Sequence, residues 1–175
     1  MNSNIVIGIV TLGLIVGGFF VLNSPSTEDQ NLVSKQKDLS TVPDFSFQDY
    51  EGNVVTNESF PGKVLIINAW ATWCPFCINE LPDFVELQKE FADEIVVIAI
   101  DRAESLDKAK TYTDNKKITD SIVFLLDSED SFYQSTGGFS MPETVFVDTE
   151  GNIRIHKRGP MSLNEMRGKV NSMLK

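Results

Sequence analysis

The segment "AWATWCPFCINELP", residues 69–82, contains both cysteines of this 175-residue chain. It overlaps a short apolar run, "KVLIINAWA", and leads into a stretch whose apolar residues recur at roughly helical spacing. The apolar run is typical of a central strand that is buried on both faces. Cys74 and Cys77 therefore fall where a strand ends and a helix begins. Such a pair could be half of a metal site, a structural crosslink or a redox centre.

The position at the start of a helix favours redox chemistry. The first N–H groups of a helix are unpaired and carry partial positive charge, which stabilises a thiolate. The i, i+3 spacing places both sulfurs on one face of the first turn, and a disulfide there closes too small a loop to brace the fold. We expect Cys74 to attack, because it precedes the helix and lies nearest the surface, and Cys77 to resolve the mixed disulfide. Pro75 fits the first helical position, and Phe76 adds no charge beside the thiolate.

Two alternative chemistries have weak support. A structural zinc site uses four ligands, and the sequence offers one cysteine pair and one histidine, His156, so we predict no metal. His156 alternates with apolar residues in a predicted edge strand, which favours a surface position. The Pro-x-x-x-Thr-x-x-Cys signature of peroxiredoxin-type peroxidases would need proline at Ile67 and threonine at Ala71.

The composition is that of a folded, acidic protein. The formal net charge is −10, from 25 acidic and 15 basic side chains, and no run of five basic residues occurs. We therefore predict no nucleic-acid partner and attribute the acidity to solubility. Two cysteines are too few for a disulfide-stapled scaffold, so their value is more chemical than mechanical.

The chain begins with an apolar segment. Residues 5–22 contain no charge and as a helix would be about 27 Å long, which nearly spans a hydrocarbon core of about 30 Å. We predict an uncleaved membrane anchor over residues 1–23 and a polar linker over residues 24–41, with a cleaved signal peptide as the alternative. Residues 42–175 form the predicted domain.

The order of predicted elements in that domain is a β-hairpin, β-α-β-α-β-α, a second β-hairpin and a closing helix. The hairpins turn at residues 51–53 and 150–152, and Ser162 with Glu165 would form a capping box at the last helix. This order predicts an α/β fold with parallel strands in the middle of the sheet and antiparallel strands at its edge.

The domain resembles the thioredoxin superfamily, and more closely its membrane-anchored thiol-disulfide oxidoreductases of the TlpA, ResA and DsbE kind. The resemblance covers residues 42–175 and rests on four stretches: "NAWATWCPFCINELP", "FPGKVLIIN", "SMPETVFVDTEGNI" and "KRGPMS". It implies a thioredoxin-like fold, in which helices flank a central mixed sheet and a β-hairpin extends the N-terminus.

The resemblance also implies residue roles. Met141-Pro142 stands where the family has a cis-proline beside the disulfide, whose backbone can pair with an incoming chain. Trp73 would flank and shield Cys74. The substrate-binding residues implied in this way are Trp73, Pro75, Phe76, Met141 and Pro142.

The resemblance also bears on proton transfer. Cytosolic thioredoxin has a buried aspartate at the position of Asn68, and an amide cannot titrate. The ResA-like group has asparagine there and a glutamate three residues after the second cysteine, which corresponds to Glu80. Glu80, one turn beyond Cys77, would exchange a proton with the sulfurs if burial raises its pKa. The alternative is an exposed helix glutamate.

The function that the resemblance implies is extracytoplasmic disulfide reduction in exported proteins such as apocytochrome c, without a cofactor. The Cys74–Cys77 dithiol would be restored by a membrane electron donor of the CcdA or DsbD kind. Two alternatives stay open: an oxidase that inserts disulfides into exported proteins, and a metal or haem chaperone or binding module with thiol ligands.

Overall fold

The computed structural model describes residues 40–175. The predicted anchor, residues 1–23, and residues 24–39 of the predicted linker lie outside the described residues. Over residues 40–175, none of the helices combines the length and the apolar character that a membrane span requires. The last two residues of the predicted linker already pair with the domain: Thr41 bridges Asn152, and the Ser40 carbonyl accepts the Ile153 N–H at 3.0 Å.

Seven strands and four α-helices form in residues 40–175, numbered here in chain order. The strands are β1 (Ser46–Asp49), β2 (Val54–Thr56), β3 (Val64–Trp70), β4 (Ile95–Arg102), β5 (Val123–Asp127), β6 (Glu143–Val147) and β7 (Ile153–Arg158). The helices are α1 (Pro75–Phe91), α2 (Leu106–Lys116), α3 (Ser131–Ser135) and α4 (Leu163–Met173).

One mixed sheet contains all seven of these strands, in the order β2-β1-β5-β4-β3-β6-β7. Strands β3, β4 and β5 are parallel, and the two hairpins are antiparallel. The N-terminal hairpin joins the sheet through antiparallel pairing of β1 with β5. The α/β, thioredoxin-like fold is confirmed, with its mixed sheet, flanking helices and N-terminal hairpin.

Strand β3 lies at the centre of the core. All of its residues are buried, as the continuous apolar run predicts. Because side chains alternate across a strand, Ile66 and Trp70 pack on one face of the sheet with α1, α2 and α4. Leu65 and Ile67 pack on the other face, where Phe132 of α3 covers them.

Side-chain oxygens fix the turns and the last helix. In the first hairpin, Asp49 Oδ1 accepts the Asn53 N–H at 2.8 Å, and Asp148 does the same for Asn152 at 2.9 Å in the second. Ser162 caps α4 as predicted, through the N–H of Glu165. The Glu165 carboxylate does not complete the expected capping box but pairs with lysines on β7 and α4.

Candidate active site

The two cysteines form a disulfide, with an S–S distance of 2.06 Å, at the junction between β3 and α1. The chain leaves β3 at Trp70 and turns through residues 71–74, where the Cys74 N–H donates to the Ala71 carbonyl at 3.1 Å. Cys74 is the N-cap of α1, Pro75 is its first residue, and Cys74 Sγ accepts the Cys77 N–H at 3.2 Å. The sulfur of Cys74 therefore takes the capping place that a hydroxyl or carboxylate oxygen commonly fills.

Both sulfurs are more enclosed than the sequence indicates. Cys74 is only 3% exposed and Cys77 is fully buried, so in the disulfide form the first cysteine is the more accessible by a small margin. The neighbouring rings are open to solvent: Trp73 is 56% exposed and Phe76 is 60% exposed. The Trp73 side chain is therefore not buried against the disulfide. Its ring lies 5.9 Å from the Arg102 guanidinium carbon, at the outer limit of a cation–π contact.

The Met141–Pro142 peptide bond is cis, as the resemblance implies. Strand β6 begins one residue later with Glu143, which pairs with Ala69 near the end of β3. That register brings Pro142 to the end of the sheet that carries the disulfide. Met141 packs against the apolar cluster that includes both cysteines. Sequence reasoning missed Phe139, three residues before Pro142, which is the most exposed large apolar side chain in residues 40–175.

Glu80 lies inside the protein. It is 3% exposed, which rules out the exposed helix position. Its Oε1 accepts from Asn68 Nδ2 at 3.1 Å, and its Oε2 accepts the Met161 N–H at 3.1 Å. These two bonds favour the carboxylate, but burial outweighs them and raises the pKa of Glu80 to about 8. The i, i+3 spacing from Cys77 puts both side chains on one face of α1.

Asn68 links Glu80 to the strand that carries the cis-proline. Its Nδ2 also donates to Thr144 Oγ1 at 2.9 Å, and its buried Oδ1 has no hydrogen-bond partner among residues 40–175. Sequence reasoning missed the roles of Thr144 and Met161. Both lie in stretches that carried the resemblance, but their partners are 76 and 81 residues away, so no local pattern reveals the contacts.

A second buried carboxylate holds the turn before Cys74. Glu104, just before α2, accepts both the backbone N–H and the hydroxyl of Thr72, at 2.6 and 2.7 Å. No local pattern marks Glu104 for this role, because Thr72 is 32 residues away in the chain. The Glu104 side chain is 4% exposed.

His156 is not the surface residue that its strand pattern predicts. Its side chain is largely buried, and its Nε2 lies 2.6 Å from Glu143 Oε1. The register explains the error, because His156 opposes Val145 and so lies diagonal to Glu143 across the β6–β7 pair. Within residues 40–175, no cluster of three or more His, Cys, Asp or Glu side chains is arranged to hold a metal ion.

Comparison with known proteins matches the chain to a family and to several relatives. The family model described as Redoxin matches residues 37–174 of the chain. The chain is 32% identical to the thioredoxin-like protein YneN of Bacillus subtilis over 132 residues, which cover 74% of this chain and 76% of YneN. It is 26% identical to the thiol:disulfide interchange protein DsbE of Vibrio cholerae over 167 residues, or 93% of this chain and 89% of DsbE.

Two further similarities concern the function and the fold. The chain is 26% identical to the thiol-disulfide oxidoreductase ResA of Geobacillus thermodenitrificans over 135 residues, which cover 77% of this chain and 76% of ResA. A crystal structure of a putative thiol:disulfide interchange protein DsbE from Chlorobium tepidum aligns with a TM-score of 0.71 at 19% identity. That alignment covers 78% of this chain and 96% of the other, and at such identity it speaks for the fold alone.

Proposed function

Because the chain belongs to the Redoxin family and is a thiol-disulfide oxidoreductase of the DsbE and ResA type, we propose that it reduces disulfides in exported proteins. The observation that carries the proposal is the place of Cys74 Sγ as the N-cap of α1, with Cys77 bonded to it one turn further in. A helix N-terminus favours a thiolate, and a neighbouring sulfur can displace whatever that thiolate captures.

The proposed reaction begins with the reduced form. The Cys74 thiolate attacks one sulfur of the substrate disulfide, the substrate S–S bond breaks, and the leaving sulfur departs as a thiolate that takes up a proton. Cys77 then loses its proton and attacks Cys74 Sγ, which releases the second substrate thiolate. Two electrons have passed to the substrate, and the Cys74–Cys77 disulfide remains to be reduced by an external dithiol.

Glu80 serves the second step in this proposal. With a pKa of about 8, its carboxyl group exchanges protons near neutral pH, whereas an ordinary glutamate is fully ionised there. It takes the proton from Cys77 as that sulfur attacks and returns one to a leaving thiolate. The bonds from Asn68 and Met161 fix the orientation of the carboxyl group on the face of α1 that carries Cys77.

Substrate binding is assigned to the rim of the disulfide. An extended segment of the substrate would lie between the exposed rings of Trp73 and Phe76 on one side and Met141–Pro142 on the other, with Pro75 beneath it. The exposure of both rings supports this binding site, because large apolar side chains that are exposed next to a reactive group often form a contact surface.

We further propose that residues 1–23 anchor the chain in a membrane, that residues 24–41 tether the domain, and that residues 42–175 work on the extracytoplasmic side. The uncharged segment of residues 5–22 and the similarity to DsbE and ResA support this arrangement. Apocytochrome c is a candidate substrate, and a membrane protein of the CcdA or DsbD kind is the candidate electron donor.

The reduction potential of the full-length protein, equilibrated with glutathione, tests the direction of electron flow. A reduction potential of about −270 mV supports a reductase, and one of about −120 mV supports a disulfide-inserting oxidase. Turnover tests the remaining alternative. A reductase accelerates insulin reduction by dithiothreitol, whereas a metal or haem chaperone would bind its cargo stoichiometrically and leave the insulin rate unchanged.

A further inference from the structure

The turn that carries Cys74 is held from the end of β4. The turn itself is closed by one backbone bond, from the Cys74 N–H to the Ala71 carbonyl. Thr72, its second residue, has both its N–H and its hydroxyl bonded to the two oxygens of Glu104, at 2.6 and 2.7 Å. Bonds to an ionised acceptor are stronger than neutral ones. The contact with Glu104 therefore ties the turn to the end of β4 by two strong hydrogen bonds.

The loop that presents Glu104 is itself fixed. Ala103 has φ 57°, in the left-handed region that disfavours residues with a Cβ, and its N–H donates to the Asp127 carbonyl at 2.9 Å. A non-glycine residue keeps such a conformation only where its surroundings impose it. The Glu104 N–H donates to Asp101 Oδ1 at 3.0 Å. Lys108 pairs with Glu104 Oε1 at 2.5 Å and offsets its charge.

Asp101 completes the arrangement. It is fully buried, and its Oδ2 has no N–H or O–H donor among residues 40–175. Burial first, and then the neighbouring Glu104, raises the pKa of Asp101, which favours its neutral form.

We propose that Glu104 is a positioning residue for thiol-disulfide exchange: by holding Thr72 it keeps Cys74 Sγ at the N-terminus of α1. Asp101 supports Glu104 by accepting its backbone N–H. The proposal rests on Cys74 being the attacking sulfur, as in the function proposed above. If the turn relaxes, Cys74 Sγ leaves the Cys77 N–H, which lies 3.2 Å away, and the thiolate loses its stabilisation.

The test is alkylation of the reduced full-length protein by iodoacetamide as a function of pH, with the modified sulfur identified by mass spectrometry. Thr72→Val removes the hydroxyl without changing charge, and Thr72→Ser restores it. Glu104→Gln keeps the shape but leaves one acceptor oxygen for two donors. Asp101→Asn keeps an oxygen that can accept the Glu104 N–H and removes the ionisable group.

We expect Thr72→Val and Glu104→Gln to slow Cys74 alkylation at pH 7 by about tenfold and to shift its titration midpoint upward. Thr72→Ser and Asp101→Asn should stay within about twofold of wild type. The reduction potential should become more negative in the first two variants, by about 30 mV for each tenfold change in the exchange equilibrium. A merely structural role would destabilise both redox forms alike and leave the midpoint and the potential unchanged.

Two results would overturn this proposal, and a third would overturn the proposed function. Loss of the Glu104 charge alone would lower the midpoint of a nearby thiol, so a downward shift in Glu104→Gln overturns the proposal. A Thr72→Val protein that is folded and matches wild type in rate, midpoint and potential also overturns it. If iodoacetamide modifies Cys77 of the wild-type protein instead of Cys74, the order of attack in the proposed function is wrong. That result can be told apart from the failure of this proposal, in which Cys74 is modified at the same rate and midpoint in wild type and variants.

Discussion

The side-chain amide of Asn68 donates to Glu80 Oε1 at 3.1 Å, in a site where both residues are buried. An asparagine on the central strand therefore orients the carboxyl group that lies one turn beyond the second cysteine. Because the amide is neutral, it fixes Glu80 without forcing it to ionise. Burial then raises the pKa of Glu80 to about 8, which leaves the group able to exchange protons near neutral pH.

Glu80→Gln should remove an ionisation from the pH dependence of disulfide exchange. The wild-type rate should change around pH 8, where Glu80 titrates, and the variant should lack that inflection and be slower by about a hundredfold. Stopped-flow measurements from pH 6 to 10 on a protein disulfide would show it. Glu86→Gln, an exposed position on the same helix, is the matched control and should follow the wild-type profile. An unchanged profile in Glu80→Gln would remove this residue from the chemistry.

The same group should make stability depend on pH. The pKa of Glu80 is raised from 4.5 to about 8 in the folded protein, so the folded state holds a proton that the unfolded state releases. Its contribution is therefore complete below pH 4.5 and is lost as pH rises to about 8, by a few kcal/mol, at about 1.4 kcal/mol for each unit of pKa difference. Urea unfolding of the oxidised protein at pH 5, 7 and 9 measures this loss. Glu80→Gln should fall less steeply than wild type, and parallel slopes would contradict the assignment.

Thr144→Val should destabilise the protein, although the two side chains have nearly the same shape. Thr144 Oγ1 accepts one of the two protons of Asn68 Nδ2, and valine would leave that buried N–H without a partner. The free energy of unfolding should fall by about 1–3 kcal/mol, while Thr144→Ser should stay close to wild type. Denaturant titration checks both variants. Equal stability of the valine and serine variants would mean that this hydrogen bond contributes little.

The exposed rings of Trp73 and Phe76 should contribute to the binding of protein substrates. Trp73→Ala and Phe76→Ala should raise KM for a protein disulfide by about tenfold and leave the rate with a small disulfide, such as oxidised glutathione, nearly unchanged. Both residues are exposed, so the free energy of unfolding should change little. Val54→Ala, an exposed apolar residue on the N-terminal hairpin, is the control. Equal losses with large and small substrates would argue against a docking role.

Much of the fold follows from local sequence signals. The apolar run of β3 predicts a strand buried on both faces. The Glu-Gly-Asn turns at residues 51–53 and 150–152 predict the hairpins that extend the sheet. These signals suffice because each depends on neighbours in the chain. The capping box at α4 was only half right, because Glu165 has two lysines within reach that a local pattern does not include.

The active site was predictable only in part, for a physical reason. The two cysteines and the helix that follows them are adjacent in sequence, so their geometry could be expected. One of the two hydrogen bonds to the Glu80 carboxyl group comes from Met161, 81 residues away, and the restraint on Thr72 comes from Glu104, 32 residues away. His156 was misplaced for the same reason: alternation along β7 predicts a face of the sheet but not the acidic partner on the neighbouring strand.

Trapping of a mixed disulfide tests the proposed roles of the two cysteines, in which Cys74 attacks and Cys77 resolves. Cys77→Ser and Cys74→Ser, each in the full-length protein, are incubated with a protein disulfide, and covalent complexes are counted on non-reducing gels. Cys77→Ser should accumulate a mixed disulfide through Cys74 that dithiothreitol releases, and Cys74→Ser should form none and reduce no insulin. A Cys74→Ser protein that captures substrate, or that reduces insulin at the wild-type rate, would contradict these roles.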